Sequence, residues 1–170
     1  MNRLEALDSS HDRSGFDCGS APLNHYIQQV SRPHAVRGIS RVFVLVDESA
    51  QAPKPLLGFF SLAACEAESE SLPAAIARKF PRKIPAVRLG RLAVNKEQQG
   101  RGPGNDLVLL AMKKTAEGAA IVGLAGLFVD AKDENVAGFY GRFGFIPLPD
   151  QPLTLFLPIQ TLLQIAALGR

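Results

Sequence analysis

Cysteine and histidine are both scarce in this 170-residue chain: two cysteines, Cys18 and Cys65, and three histidines, His11, His25 and His34. The cysteines lie far apart in no C-x-x-C spacing, and the histidines share no ligand spacing, so the sequence points to no disulfide framework and no metal. Cys65 has no histidine or acidic neighbour to activate it and reads as a small buried apolar residue. Long apolar runs are also missing; none approaches the roughly 18 residues of a membrane span. The first dozen residues lack the apolar segment of a signal peptide, so a cytoplasmic protein with no membrane partner is expected. No internal repeat and no low-complexity tract is present. Charged residues at 21% beside 46% hydrophobic ones exclude the disordered classes, and 170 residues suit a single domain, 1–170, able to bury a full core.

The pattern alternates strands and helices. Residues 1–20 read as irregular, with a turn at 12–15 and Phe16 as an anchor. Ser20 reads as the N-cap of a helix running to about Val30, with Pro22 in its first turn. Residues 41–46 and 56–64 form a hairpin-like pair of strands. A short helix opens at Leu72 and Pro73, a stiff proline-bracketed basic connector spans 80–85, and a strand follows at 86–94. An amphipathic helix covers 105–117 and closes at Gly118; a strand covers 121–130. Asp133 caps a short helix that Gly144 terminates, a strand covers 152–157, and an apolar helix or tail runs over 159–168. Hairpins together with crossovers predict an α/β protein with a mixed sheet and helices on its faces.

Behind the apolar strand ending Arg91, Leu92, Ala93, Val94 come three glycines at alternate positions, Gly100, Gly102 and Gly104, and then a helix. Glycines tolerate φ > 0, so such a loop can curl and aim successive N–H groups at one point, and the helix start adds more. This is a phosphate-binding arrangement. A nucleoside triphosphatase loop would need Gly-Lys-Ser/Thr, but Gly104 is followed by Asn105 and Asp106. A dinucleotide fingerprint would need G-x-G-x-x-G early in the chain with an acidic residue about 20 positions on, which is also missing.

Basic residues cluster. Arg78, Lys79, Arg82, Lys83, Arg88 and Arg91 lie in a segment without acids, as do Arg32, His34, Arg37 and Arg41, and both could face a polyanion. Glu66, Glu68 and Glu70 form an acidic run that reads as a solvated face.

Gln99-Gly100-Arg101-Gly102-Pro103-Gly104 resembles the Q/R-x-x-G-x-G/A pyrophosphate loop of the GCN5-related N-acetyltransferases, and Asn135 through Phe145, N-V-A-G-F-Y-G-R-F-G-F, resembles their second signature. The segment from Phe16 to Tyr26, together with residues 58–62, 80–94 and 155–157, is similar to the acetyltransferase toxins of type II toxin–antitoxin modules. The resemblance implies a central mixed, mostly antiparallel, twisted sheet flanked by helices, and acetyl-CoA as co-substrate with no metal. It implies that main-chain groups of Leu92, Ala93 and Val94 hold the acetyl-pantetheine arm. The N–H groups of Gln99, Gly100, Arg101, Gly102, Gly104 and Asn105 would hold the pyrophosphate, Asn135 the pantetheine, and Phe139 would also bind the cofactor. Tyr140 would stand beside the sulfur as general acid. The implied substrate is the α-amine of aminoacyl-tRNA, with Arg78, Lys79, Arg82, Lys83 and Arg91 as tRNA contacts, and the implied partners are a ribbon-helix-helix antitoxin and a second copy in a homodimer. A small-molecule amine, a protein N-terminus, or a non-catalytic CoA-binding role are the alternatives. Pro103 departs from the usual aliphatic residue and cannot donate an N–H; Asn95 replaces a frequent aspartate.

Overall fold

The computed structural model describes residues 1–168. The chain divides into two compact units, Met1–Ala63 with Gly90–Ala111, and Ala64–Leu89 with the residues from Met112 onward. The strands and helices are β1 (Asn2–Ala6), β2 (His11–Asp12), α1 (Ala21–His25), α2 (Ser31–Val36), β3 (Arg41–Asp47), β4 (Lys54–Pro55), β5 (Gly58–Glu68), α3 (Ala74–Ala77), β6 (Lys83–Val94), α4 (Pro103–Ala119), β7 (Gly126–Asp130), α5 (Glu134–Gly141), β8 (Ile146–Leu148), β9 (Gln151–Pro158) and α6 (Ile159–Leu168). Seven strands form one sheet in the order β1-β3-β5-β6-β7-β9-β8. Pairings β1/β3, β3/β5, β7/β9 and β8/β9 are antiparallel and β6/β7 is parallel, so the sheet is mixed and mostly antiparallel, as expected.

In the first unit Val42, Val44 and Val46 alternate along β3 and put one face into a core with Phe16, Tyr26, Ile27, Leu56, Phe59 and Ala93. Phe16 packs edge-on against Phe59 at 5.4 Å, which makes it the anchor anticipated. Residues 1–20 are not irregular throughout: β1 pairs with β3 from Asn2↔Asp47 to Ala6↔Phe43, and β2 pairs in parallel with β4. Main-chain ladder bonds at a sheet edge hold β1, and its half-exposed side chains carry no clean alternation. The first helical stretch also runs past Val30, through a π-helical turn Tyr26–Val30, into α2. Pro33 has no N–H to return to the preceding turn, and a widened turn accommodates that loss. Ser20 is extended but makes no side-chain cap bond.

In the second unit Leu72, Ile84, Ala86, Ala125, Phe128, Leu148 and Phe156 form a core, with Phe128 and Phe156 rings 4.7 Å apart. Alternate burial of Ile84 and Ala86 shows why β6 begins at Lys83: the latter part of the proline-bracketed connector is already strand. The strand expected over 121–130 is only Gly126–Asp130, because α4 continues through Gly118 to Ala119 and Ile121 and Val122 are exposed. Gly126 is required by close approach: an added Cβ would run into the Leu157 carbonyl oxygen and lie 2.6 Å from the Phe156 ring. Asp133 caps α5 by accepting from the Val136 N–H at 2.9 Å, and Gly144 follows with φ +99°. Both match the sequence pattern.

Candidate active site

The first unit presents the glycine loop. Leu92, Ala93 and Val94 end β6, whose parallel register with β7 spans Val87–Leu89 and stops short of them. Asn95 then turns the chain: its N–H donates to the Leu57 carbonyl at 2.8 Å, and its side-chain oxygen accepts from the Glu97 N–H at 3.1 Å. Asparagine performs both tasks without a charge. Gly100 and Gly102 adopt φ of +82° and +95°, and an added Cβ at either meets no atom within 4 Å. These glycines are therefore needed for backbone hand, not for space. Left-handed residues alternating with ordinary ones curl the amides into a concavity suited to an anion. Arg101 and Gly102 are exposed at its rim. Pro103 opens α4 and is buried, so its ring fills the aliphatic position while Gly104 and Asn105 retain first-turn N–H groups.

The Gln99 side chain does something the sequence did not suggest. Its Nε2 donates to the carbonyls of Val94 at 3.1 Å and Cys18 at 3.0 Å, bracing the loop against the strand end and against the segment before α1.

The second unit presents Asn135, Phe139 and Tyr140 on α5. Asn135 is exposed, Phe139 is half-buried, and they share a helical face at i, i+4 spacing. Tyr140 is 5% exposed, with its ring edge-on to Phe139 at 5.2 Å and to Phe145 at 5.6 Å. Burial pushes its phenol up to about 12, because the phenolate would lose hydration. A proton is held there across the neutral range. Cys65 is likewise pushed up by burial and is no thiolate nucleophile.

The basic run is less free than its sequence suggests. Arg82 Nε lies 3.4 Å from Glu68 and Lys83 Nζ 3.5 Å from Glu66, so the acidic run of β5 pairs with β6. Arg88 is held at 2.6 Å by Asp130, whose other oxygen accepts from Thr154. Arg78 and Lys79 follow α3, and Lys79 rims a hollow of about 310 Å³ lined also by Ile76, Phe80 and Ile159. Arg91, in the first unit, is exposed and holds its guanidinium carbon 3.8 Å from the centre of the Tyr26 ring, a cation–π contact. Among the described residues no cluster of ligating side chains suits a metal, and no helix is long and apolar enough to cross a membrane.

A mixed, mostly antiparallel sheet with a strand, a glycine loop of two left-handed residues and a helix in succession is the arrangement of the GCN5-related N-acetyltransferases. No protein-family model matches the chain. A tRNA-acetylating toxin of Mycobacterium tuberculosis is 30% identical over 151 residues, 89% of this chain and 88% of the relative. The structure of AtaT complexed with acetyl-methionyl-tRNAfMet superposes with a TM-score of 0.88 at 32% identity, covering 100% of both chains. A tyrosine-to-phenylalanine mutant of AtaT bound to the C-terminus of the antitoxin AtaR and acetyl-CoA gives 0.82 at 31% identity, covering 96% of this chain and 97% of that one. The chain belongs to the acetyltransferase toxins of type II toxin–antitoxin modules.

Proposed function

We propose that this protein transfers an acetyl group from acetyl-CoA to the α-amine of the amino acid on a charged tRNA, acting as a toxin that blocks translation in the cytoplasm. The observation that carries this is the left-handed pair Gly100 and Gly102 just before α4, the backbone hand with which successive amides can converge on an anion. The N–H groups of Gln99, Gly100, Arg101, Gly102, Gly104 and Asn105 hold the diphosphate; main-chain groups of Leu92, Ala93 and Val94, past the end of the β7 register, hold the pantetheine arm. Asn135 and Phe139 contact the cofactor from α5. Acetyl-CoA supplies an acyl group activated as a thioester. N–H groups near Ala93 and Val94 donate to the carbonyl oxygen as charge develops there. Tyr140, a phenol protonated throughout the neutral range, gives its proton to the departing thiolate; the attacking amine loses its own proton to water, and the phenol is reprotonated from solvent. An α-amine of pKa about 7.7–8.0 is partly neutral near pH 7, which fits a site in which no side chain declares itself as general base.

Arg78, Lys79 and Arg91 carry the main tRNA contacts, with Arg82 and Lys83 contributing less because Glu68 and Glu66 offset them. Charge reversal at Arg78, Lys79 or Arg91 is expected to weaken binding of charged tRNA and flatten its salt dependence by about one phosphate contact each. Arg82→Glu and Lys83→Glu should do so less. Titrations at several salt concentrations check both statements, and equal slopes for all five variants would refute the ranking. A ribbon-helix-helix antitoxin neutralises the toxin, which works as a homodimer; the likeness to AtaT bound to the C-terminus of the antitoxin AtaR supports an antitoxin as partner. The whole proposal is tested by incubating the protein with labelled acetyl-CoA and total charged tRNA. Label on the aminoacyl group is the expected result. Label appearing only on small amines or protein N-termini would overturn it.

A further inference from the structure

Residues 17–24 reach across the sequence to grip residues 94–99. The Lys96 N–H donates to the Asp17 carbonyl at 2.9 Å, and Lys96 Nζ pairs with Asp17 Oδ2 at 2.9 Å. Asp17 Oδ1 accepts from the Gly19 N–H at 2.9 Å and from Asn24 Nδ2 at 3.0 Å, while Asn24 Oδ1 accepts from the Cys18 N–H at 2.9 Å. Gln99 closes the circuit by donating both amide protons, one to the Cys18 carbonyl and one to the Val94 carbonyl. We propose that Asp17, Asn24 and Gln99 form a latch that positions the glycine loop for the nucleotide, so that residues 17–24 set the affinity for acetyl-CoA without touching it.

This rests on the assignment of the loop to acetyl-CoA. A loop with two left-handed glycines and an exposed rim samples many conformations when free, and binding must select the one with converging amides. The latch holds the loop at Lys96 and at Gln99, immediately before the first left-handed glycine. It also engages Lys96, the only lysine between Val94 and α4, with Asp17, so this side chain serves the latch. Asp17 is held well below the usual carboxylate range, at about 2, by Lys96 first and then by the Gly19 N–H and Asn24, so the pair stays ionised at neutral pH. The Asp17–Lys96 contact is exposed and contributes modestly; the two amide side chains carry most of the positioning.

The test is direct calorimetric binding of acetyl-CoA to the full-length protein, with thermal melting in parallel. Gln99→Met, which keeps the shape but not the donors, and Asn24→Ala are each expected to raise the Kd about tenfold while Tm moves by no more than about 3 °C. Their combination is expected to raise the Kd hardly further, because both act through one unit. Lys96→Met is expected to cost about threefold, and Lys96→Arg to restore it. For Asn24→Ala the loss should appear in the KM for acetyl-CoA, with kcat retained. Wild-type protein that fails to bind acetyl-CoA would remove the parent assignment itself. Wild-type binding with unchanged affinity in Gln99→Met and Asn24→Ala, or losses that only track a falling Tm, would overturn the latch alone.

Discussion

Tyr140→Phe is expected to slow acetyl transfer by about 100- to 10,000-fold, the range that a positioned general acid contributes, while acetyl-CoA affinity stays within about twofold. The ring remains packed between Phe139 and Phe145, so the variant loses one proton donor and little else. The wild-type rate should show no falling limb from this group below about pH 10, the ordinary phenol value, because burial raises Tyr140 to about 12. The same sign applies to stability: a phenol held neutral by the fold contributes fully below pH about 10, and its contribution is lost as the pH rises toward about 12. Single-turnover rates across pH, with parallel binding isotherms, test all three statements. Retained turnover in Tyr140→Phe would remove the phenol from the mechanism, and a limb near pH 8 assigned to it would contradict its burial.

The second large effect is expected at the loop. Gly100→Ala combined with Gly102→Ala should raise the Kd for acetyl-CoA about 30-fold or more, since each Cβ disfavours the left-handed backbone by roughly 1–2 kcal/mol. Neither Cβ meets a neighbour, so the loop is free to relax into ordinary φ, and global stability should hardly change. Relaxation turns the amides away from their common focus. Gly123→Ala is the control: it also has open space but no positive φ, and it should leave affinity unaltered. Calorimetry on the three proteins decides the matter, and tight binding by the doubly substituted loop would place the diphosphate elsewhere.

Much of this was legible locally. The strand at 41–46, the Asp133 cap, the stop at Gly144 and the glycine spacing after Val94 are short-range patterns, and each has a structural counterpart. Failures were of two kinds. β1 is half-exposed at a sheet edge, where ladder bonds to β3 supply what hydrophobic pattern does not. Ile121 and Val122 look like strand residues but precede the point where Gly126 lets the backbone approach Leu157. β-Propensity yields there to where a partner strand is available.

The sequence by itself determined the loop's capacity for left-handed turns and the succession of strands and helices, because backbone hand and periodicity are properties of neighbouring residues. Only the tertiary structure decided that Arg82 and Lys83 meet Glu68 and Glu66, that burial raises the Tyr140 phenol above its ordinary value, and that Gln99 ties its loop to Cys18. Charge pairing, desolvation and long-range hydrogen bonds depend on residues brought together from up to 81 positions apart, and no local pattern records such meetings.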